Sequence, residues 1–309
     1  MKKFYITPKT NTPALKISKL VITLTLLLVS SFFQITRANT WDGNVSSAWE
    51  NPSNWSSGIV PDATTDATIP TTPLGARFPI ITFGAQGVNI LIIQSGAVLT
   101  MTGGTLEVAQ DWANNGSFDA TGGTVMFTGG ATVISDFSSG ANNFYNLTVE
   151  NAVDPLFNQY LGSMIYIAGD FVNNNASLPA QDIRSTFIFN GSIDQYFYSV
   201  SSDIICGTFT VNKTGGKVFL NSHLYTTDFT MTSGDLATSN FNLTIAGNWL
   251  NNGGNFLGGT SMVTLTGSGK VIDGSNSTFF PSITLQDGLR EVYRWYLSSI
   301  AIHSPELNS

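Results

Sequence analysis

The sequence predicts an all-β fold, a right-handed parallel β-helix (β-solenoid) with an N-terminal cap, and leaves β-sandwich repeats as the alternative. Three observations carry this. Short runs of alternating apolar and polar residues recur about every 8–14 residues with Gly, Asn and Asp between them, the pattern of short strands and tight turns. After residue 38 no window holds a long 3.6-residue apolar period, and Gly or Asn interrupts every candidate helix. A seven-residue motif also returns three times, as Ala109-Gln-Asp-Trp-Ala-Asn-Asn115, Ala168-Gly-Asp-Phe-Val-Asn-Asn174 and Ala246-Gly-Asn-Trp-Leu-Asn-Asn252.

The chain opens on a segment that is not fold. Met1–Lys19 carries five lysines and no acid, Leu20–Thr36 is an apolar run, and Thr36-Arg37-Ala38 ends it with small residues. A basic head, an apolar middle and a small-residue end form a secretory signal peptide, expected over residues 1–38. The competing reading is a retained anchor, but the run is short for a bilayer and holds Ser30, Ser31 and Gln34.

Residues 39–86 are expected to cap the array. Trp41, Trp49 and Trp55 fall within fifteen residues and are not repeated later. The first coil of a solenoid would otherwise expose apolar core and an unpaired edge. A sugar-stacking aromatic cluster is the sharper alternative.

Residues 87–309 are expected to be solenoid repeats. Each copy of the seven-residue motif precedes a strand ending in Gly (Thr124–Gly129, Thr186–Gly191, Met262–Gly267) and then a second strand (Tyr145–Val149, Gly207–Val211, Pro281–Leu285). Trp112 lies 59 residues before Phe171, and Phe171 lies 78 before Trp249. Unequal intervals mean that the number of rungs per unit varies, which a stacked coil tolerates better than a closed sandwich. Asn accepts left-handed turns and forms side-chain ladders, so the Asn-Asn pairs suit corners of such a coil. The middle unit shows no Ser-Gly step in Val153–Tyr166. The last stretch, Tyr296–Ser309, aligns without gaps to Tyr225–Thr238 and stops before its coil closes, so the array is expected to be cut in mid-unit.

Composition narrows the chemistry. Removing Met1–Ala38 takes six of the thirteen basic residues and none of the twenty acidic ones, a net charge of −13. Such a chain repels phosphate backbones and anionic membranes, so no nucleic-acid partner is expected. The single Cys206 excludes an intrachain disulfide framework and a cysteine-based zinc site. There are two histidines: His223 in a turn-like stretch, and His303, aligned with Thr232 at a solvent-facing rung position. The seven basic residues are scattered, so the base and cation set of a polysaccharide lyase is missing. Asp111, Asp170 and Asn248 share one motif position, and exchange of Asp with Asn points to turn-making rather than acid–base work. Gly103-Gly104, Gly122-Gly123 and Gly258-Gly259 lack the Lys and helix of a phosphate loop and are expected at rung corners. No catalytic, cofactor-binding or metal-binding residue is assigned, no cofactor is expected, and the ligand-binding residues are unknown.

The pattern Trp41-x-Gly43, Trp49, Asn54-Trp55, Gly58, Pro61, Asp66, Ile69-Pro70, followed by Ile92-Ile-Gln-Ser-Gly-Ala97, resembles the N-terminal part of the large secreted repeat-rich surface proteins of Bacteroidota. The resemblance covers most of residues 39–285. It implies a β-solenoid exported by the general secretory route, and passage over the outer membrane by a type IX system that reads a C-terminal sorting domain. No such domain is recognisable before Ser309. The function implied is structural or adhesive, at the cell surface or outside the cell, with glycans or other surface proteins as partners and outer-membrane or extracellular-matrix association. A lyase or hydrolase on a β-helix, and a carbohydrate-binding module centred on the tryptophans, are the alternatives.

Overall fold

The computed structural model describes residues 39–129, 134–136, 142–150, 164–174, 183–200 and 203–285. The leader, the Val153–Tyr166 gap up to residue 163, His303 and the terminal alignment over 296–309 lie outside the described residues.

The chain is a β-solenoid of about nine turns with parallel stacked strands. One face stacks strands Asn39–Thr40, Ala67–Ile69, Leu91–Ile93, Trp112–Asn114 and Ile134–Asp136. A second face stacks ten segments from Ile80–Ile81 to Ile272–Asp273, each paired in parallel with the next at steps of 19 to 24 residues. A third face runs from Ala85–Val88 through Phe171–Asn173 and Gln195–Ser199 to Phe256–Leu257. In the later turns, 203–206, 223–226, Leu243–Ile245, Met262–Leu265 and Ser282–Leu285 stack in the chain-order place of the first face. Every ladder between named strands is parallel, which rules out the sandwich, since its hairpins require antiparallel pairs. Among the described residues the only helical piece is one 3₁₀ turn, Pro52–Asn54.

The two-residue period of each strand sets the core. Along the second face the inward side chains Phe187, Phe209, Phe229 and Trp249 lie in register on successive turns and are buried. Phe209 stacks on Phe229 with centroids 6.0 Å apart, and Phe229 on Trp249 at 4.3 Å. Outward positions carry polar side chains such as Thr244, Thr264 and Thr284 in one row.

Corners need glycine where the next turn passes closest. Gly104 (φ +76°) and Gly123 (φ +85°) follow the second-face strands, and a Cβ at Gly104 would lie 2.6 Å from the Gly84 carbonyl oxygen. The corner reading of these Gly pairs therefore holds.

The Trp-rich opening is itself the first turn. Asn39–Thr40 pairs in parallel with 67–68 and Ala48 with Ile80, so this segment already occupies two faces. Trp41, Trp49 and Trp55 are 0%, 0% and 2% exposed and fill the interior of that turn. Their rings meet edge to face, Trp41–Trp55 at 5.1 Å and Trp49–Trp55 at 4.7 Å. The Trp41 indole N–H donates to the Arg77 carbonyl and that of Trp55 to the Trp49 carbonyl. Gly43 is required beneath them, because its φ is +63° and a Cβ would sit 2.4 Å from the Arg77 carbonyl oxygen. Buried, mutually perpendicular rings offer no platform to a sugar, which overturns the carbohydrate-binding alternative centred on these tryptophans.

Candidate functional site: buried polar pins and outer rows

The three copies of the seven-residue motif do not stack on one another. Trp112 lies on the first face, Phe171 on the third and Trp249 on the second. The interval of 59 residues is two turns plus two faces, and that of 78 is three turns plus two faces. The motif is a local strand-and-corner device that works on any face.

Its chemistry differs from the turn-making expected. Asn114, Asn173 and Asn251 point inward from extended strands and are fully buried, and none of the three has a positive φ. Trp112 Nε1 and Asn114 Nδ2 both donate to Asn142 Oδ1, at 3.0 and 2.9 Å. Trp249 Nε1 and Asn251 Nδ2 both donate to Thr278 Oγ1, at 3.2 and 3.0 Å. In the middle copy Phe171 brings no donor, and Asn173 Nδ2 donates to Ser199 Oγ at 2.9 Å. Each copy thus pins one buried polar acceptor of a following turn inside an otherwise apolar core.

A second device stitches turns from outside. A side-chain oxygen of Asn or Asp accepts the backbone N–H of the following turn: Asn146 from Asp170 at 2.8 Å, Asp170 from Tyr196 at 2.8 Å, Asp194 from Lys217 at 2.9 Å and Asn248 from Val271 at 3.2 Å. The task needs an Oδ1 and not a charge. This accounts for the exchange of Asp170 with Asn248 and removes this motif position from the catalytic candidates.

The remaining candidates are held structurally. His223 opens the strand His223–Ala237 rather than lying in a turn, and its Nδ1 accepts the Asn242 N–H at 2.9 Å. Cys206 is 1% exposed, and burial pushes its thiol up to about 12, against a small lowering from Thr226. A thiol so placed is inert at neutral pH. A thiol reagent at pH 8 should leave Cys206 unmodified in the folded chain and label it fully in denaturant; rapid stoichiometric labelling of the native chain would contradict this placement. Asp62 accepts from the Thr64 and Thr65 hydroxyls and the Thr64 N–H. The Thr64 hydroxyl first, and then the other donors, hold its carboxyl below the usual range. It lines a shallow open cleft with Val60, Pro61, Gln86 and Glu107. Among the described residues no group of three or more His, Cys, Asp or Glu is placed to hold a metal ion, and no helix is long and apolar enough to cross a membrane.

One basic group escaped the sequence reading. Lys213 is 2% exposed, and its Nζ donates to the carbonyls of Gly191 and Ile193 and to Gln195 Oε1. Gln195 is also buried, and its Nδ-equivalent amide, Nε2, donates to the Ile167 and Gly169 carbonyls, so three consecutive turns share one polar pin. A lysine two residues after a strand and just before a Gly-Gly corner looks solvent-exposed in sequence, and only the bulge after Val211 turns it inward. Desolvation lowers its pKa from 10.5 to about 8, partly opposed by Asp194 and Asp170. The folded chain releases this proton near pH 8, whereas the unfolded chain keeps it until about 10.5, so the unfolded state binds more protons between them. Stability from this group therefore rises with pH over that window, by on the order of 1–3 kcal/mol. Denaturant titrations from pH 7 to 10.5 should show the wild type gaining stability relative to Lys213→Met; parallel pH curves would exclude a buried, strained ammonium.

The Trp-rich first turn and the turns above it also form one unit of sequence similarity. Residues 40–123 match a domain of unknown function, DUF8693. The match begins at Thr40, crosses residues 86 and 87 without a break and ends at the Gly122-Gly123 corner, as the strand ladders do. No curated protein and no solved structure is significantly similar to the chain.

Proposed function

We propose that this chain is an exported, non-catalytic β-solenoid that acts as a structural or adhesive element at the cell surface or outside the cell, with glycans or other surface proteins as its partners. The observation that carries this reading is the division of labour in the side chains. The titratable groups stitch turns together one by one, as Asp170, Asp194, Asp228 and His223 do, while long rows of outward side chains run unbroken along the axis. An elongated surface of repeated rows suits extended contact with a partner, as in other solenoids. The leader supports export, and the resemblance to secreted repeat proteins of Bacteroidota supports the location.

The test has two arms. Antibody against the solenoid should label intact cells, and deletion of the gene should lower attachment of cells to surfaces; labelling only after lysis, with unchanged attachment, would sink the proposal. The purified chain should release no reducing ends or unsaturated sugars from common polysaccharides. Release that disappears on replacing one Asp would establish the enzyme reading instead.

A further inference from the structure

The outward positions of the third face change character along the axis. In the early turns they are mostly polar: Thr105 pairs with Thr124 and Thr124 with Asn146, while Glu107 is followed by Met126 and Thr148. From Val172 onward they turn apolar. Val172 lies in register with Tyr198, and Tyr196, Phe219, Ala237 and Leu257 form a row across four successive turns. Tyr196 is 43% exposed, Leu257 40% and Tyr198 37%. The rings of Tyr196 and Phe219 lie 5.3 Å apart and nearly parallel, at 20°. A contiguous apolar strip confined to one stretch of a polar surface marks a contact site.

Two features select the occupant. The strip is built on tyrosines rather than on aliphatic side chains alone, and a flat ring with a polar rim suits a ligand that is apolar on one face and hydroxylated at its edge. The neighbouring row presents Asp170, Asp194, Asp235 and Asn255 against the single cation Lys217. Carboxylates accept hydrogen bonds from hydroxyl groups and repel anions, and the whole chain carries a net charge of −7. The rungs repeat at about 4.8 Å, so a linear ligand lying along the axis meets equivalent groups at each turn.

We infer that this strip binds a neutral oligosaccharide, its sugar rings against Tyr196, Tyr198 and Phe219 and its hydroxyls donating to the acidic row. The inference rests on the adhesive reading above and names its contact surface. The test is a printed array of neutral, uronate-bearing and sulfated oligosaccharides, probed with wild type and with the Tyr196→Ser, Tyr198→Ser double variant, with Cys206 protection as the control for folding. The wild type should bind neutral glycans, and the double variant should lose at least about tenfold in affinity, since each lost ring removes stacking as well as apolar contact. Should the serine variant expose Cys206, Tyr196→Leu with Tyr198→Leu keeps the apolar cover while removing the flat rings, and the same loss is expected. Undiminished binding in the variant overturns the strip and leaves the adhesive reading standing. Binding of acidic glycans alone overturns it as well. So does a wild type that binds no sugar, whether or not it self-associates through these tyrosines; positive surface labelling and attachment would then point to a protein partner.

Discussion

Replacing Trp55 by Ala should lower the stability of the folded chain by about 3–5 kcal/mol, the usual cost of emptying a fully buried large aromatic site. Trp55 is 2% exposed, packs edge-on against both Trp41 and Trp49, and donates its indole N–H to the Trp49 carbonyl at 2.8 Å. The loss is a cavity inside the first turn together with an unpartnered carbonyl. Because a solenoid is stabilised by interfaces between adjacent turns, loosening the first turn also exposes the second. Ile59→Ala in the same segment should change stability by less than about 0.5 kcal/mol, since Ile59 is 69% exposed. Thermal or urea unfolding of the two variants decides the matter. A Trp55→Ala chain as stable as wild type would mean that the rings do not fill the first turn.

The second large effect is expected at Asn142. Asn142→Leu keeps the volume but removes the acceptor that serves both Trp112 Nε1 and Asn114 Nδ2. Two buried donors are then left without a partner, at about 1–3 kcal/mol each. The substitution also removes Asn142 Nδ2, a buried donor with no partner among the described residues. The net expectation is a loss of about 2–4 kcal/mol. Thr278→Val makes the same deletion in the last copy but should cost only about 1–2 kcal/mol. There Asn251 Nδ2 also reaches the Gly254 and Ser277 carbonyls at 3.3 and 3.4 Å, so only the Trp249 indole is stranded. Urea unfolding midpoints at a common m value give both numbers. Equal losses, or a larger loss at Thr278, would show that the paired donors are not what these acceptors satisfy.

Much of the fold was legible before any coordinates. Alternation of inward and outward residues is a property of the strand alone, so sequences such as Leu243-Thr-Ile245 and Met262-Val-Thr-Leu265 announce which side chains face the core. Glycine pairs announce corners for an equally local reason, since only Gly takes the φ of Gly104 or Gly123 without strain. The density of Trp41, Trp49 and Trp55 beside the array was enough to place them in the interior, because no other apolar residues in that segment could fill a coil.

Other features depend on how residues twenty or more apart come together, which no local pattern specifies. The side chains that accept from Trp112, Asn173 and Trp249 belong to later turns and are of three types, Asn142, Ser199 and Thr278. Lys213 is buried only because the strand bulges after Val211 and brings its ammonium over two carbonyls of the preceding turn. The tyrosine strip is visible as a strand in Gln195–Ser199, but its continuation through Phe219 and Leu257 exists only in the inter-turn register. The sequence by itself determined that this chain is a β-coil with Trp at its start, Gly at its corners and Asn or Asp at its stitches, since each follows from the conformational freedom of one residue and its neighbours. Tertiary structure alone decided on which face each motif copy lands, because the face is set by the cumulative length of every corner before it. A difference of one or two residues per turn, invisible in any single motif, carries Trp112, Phe171 and Trp249 to three different faces.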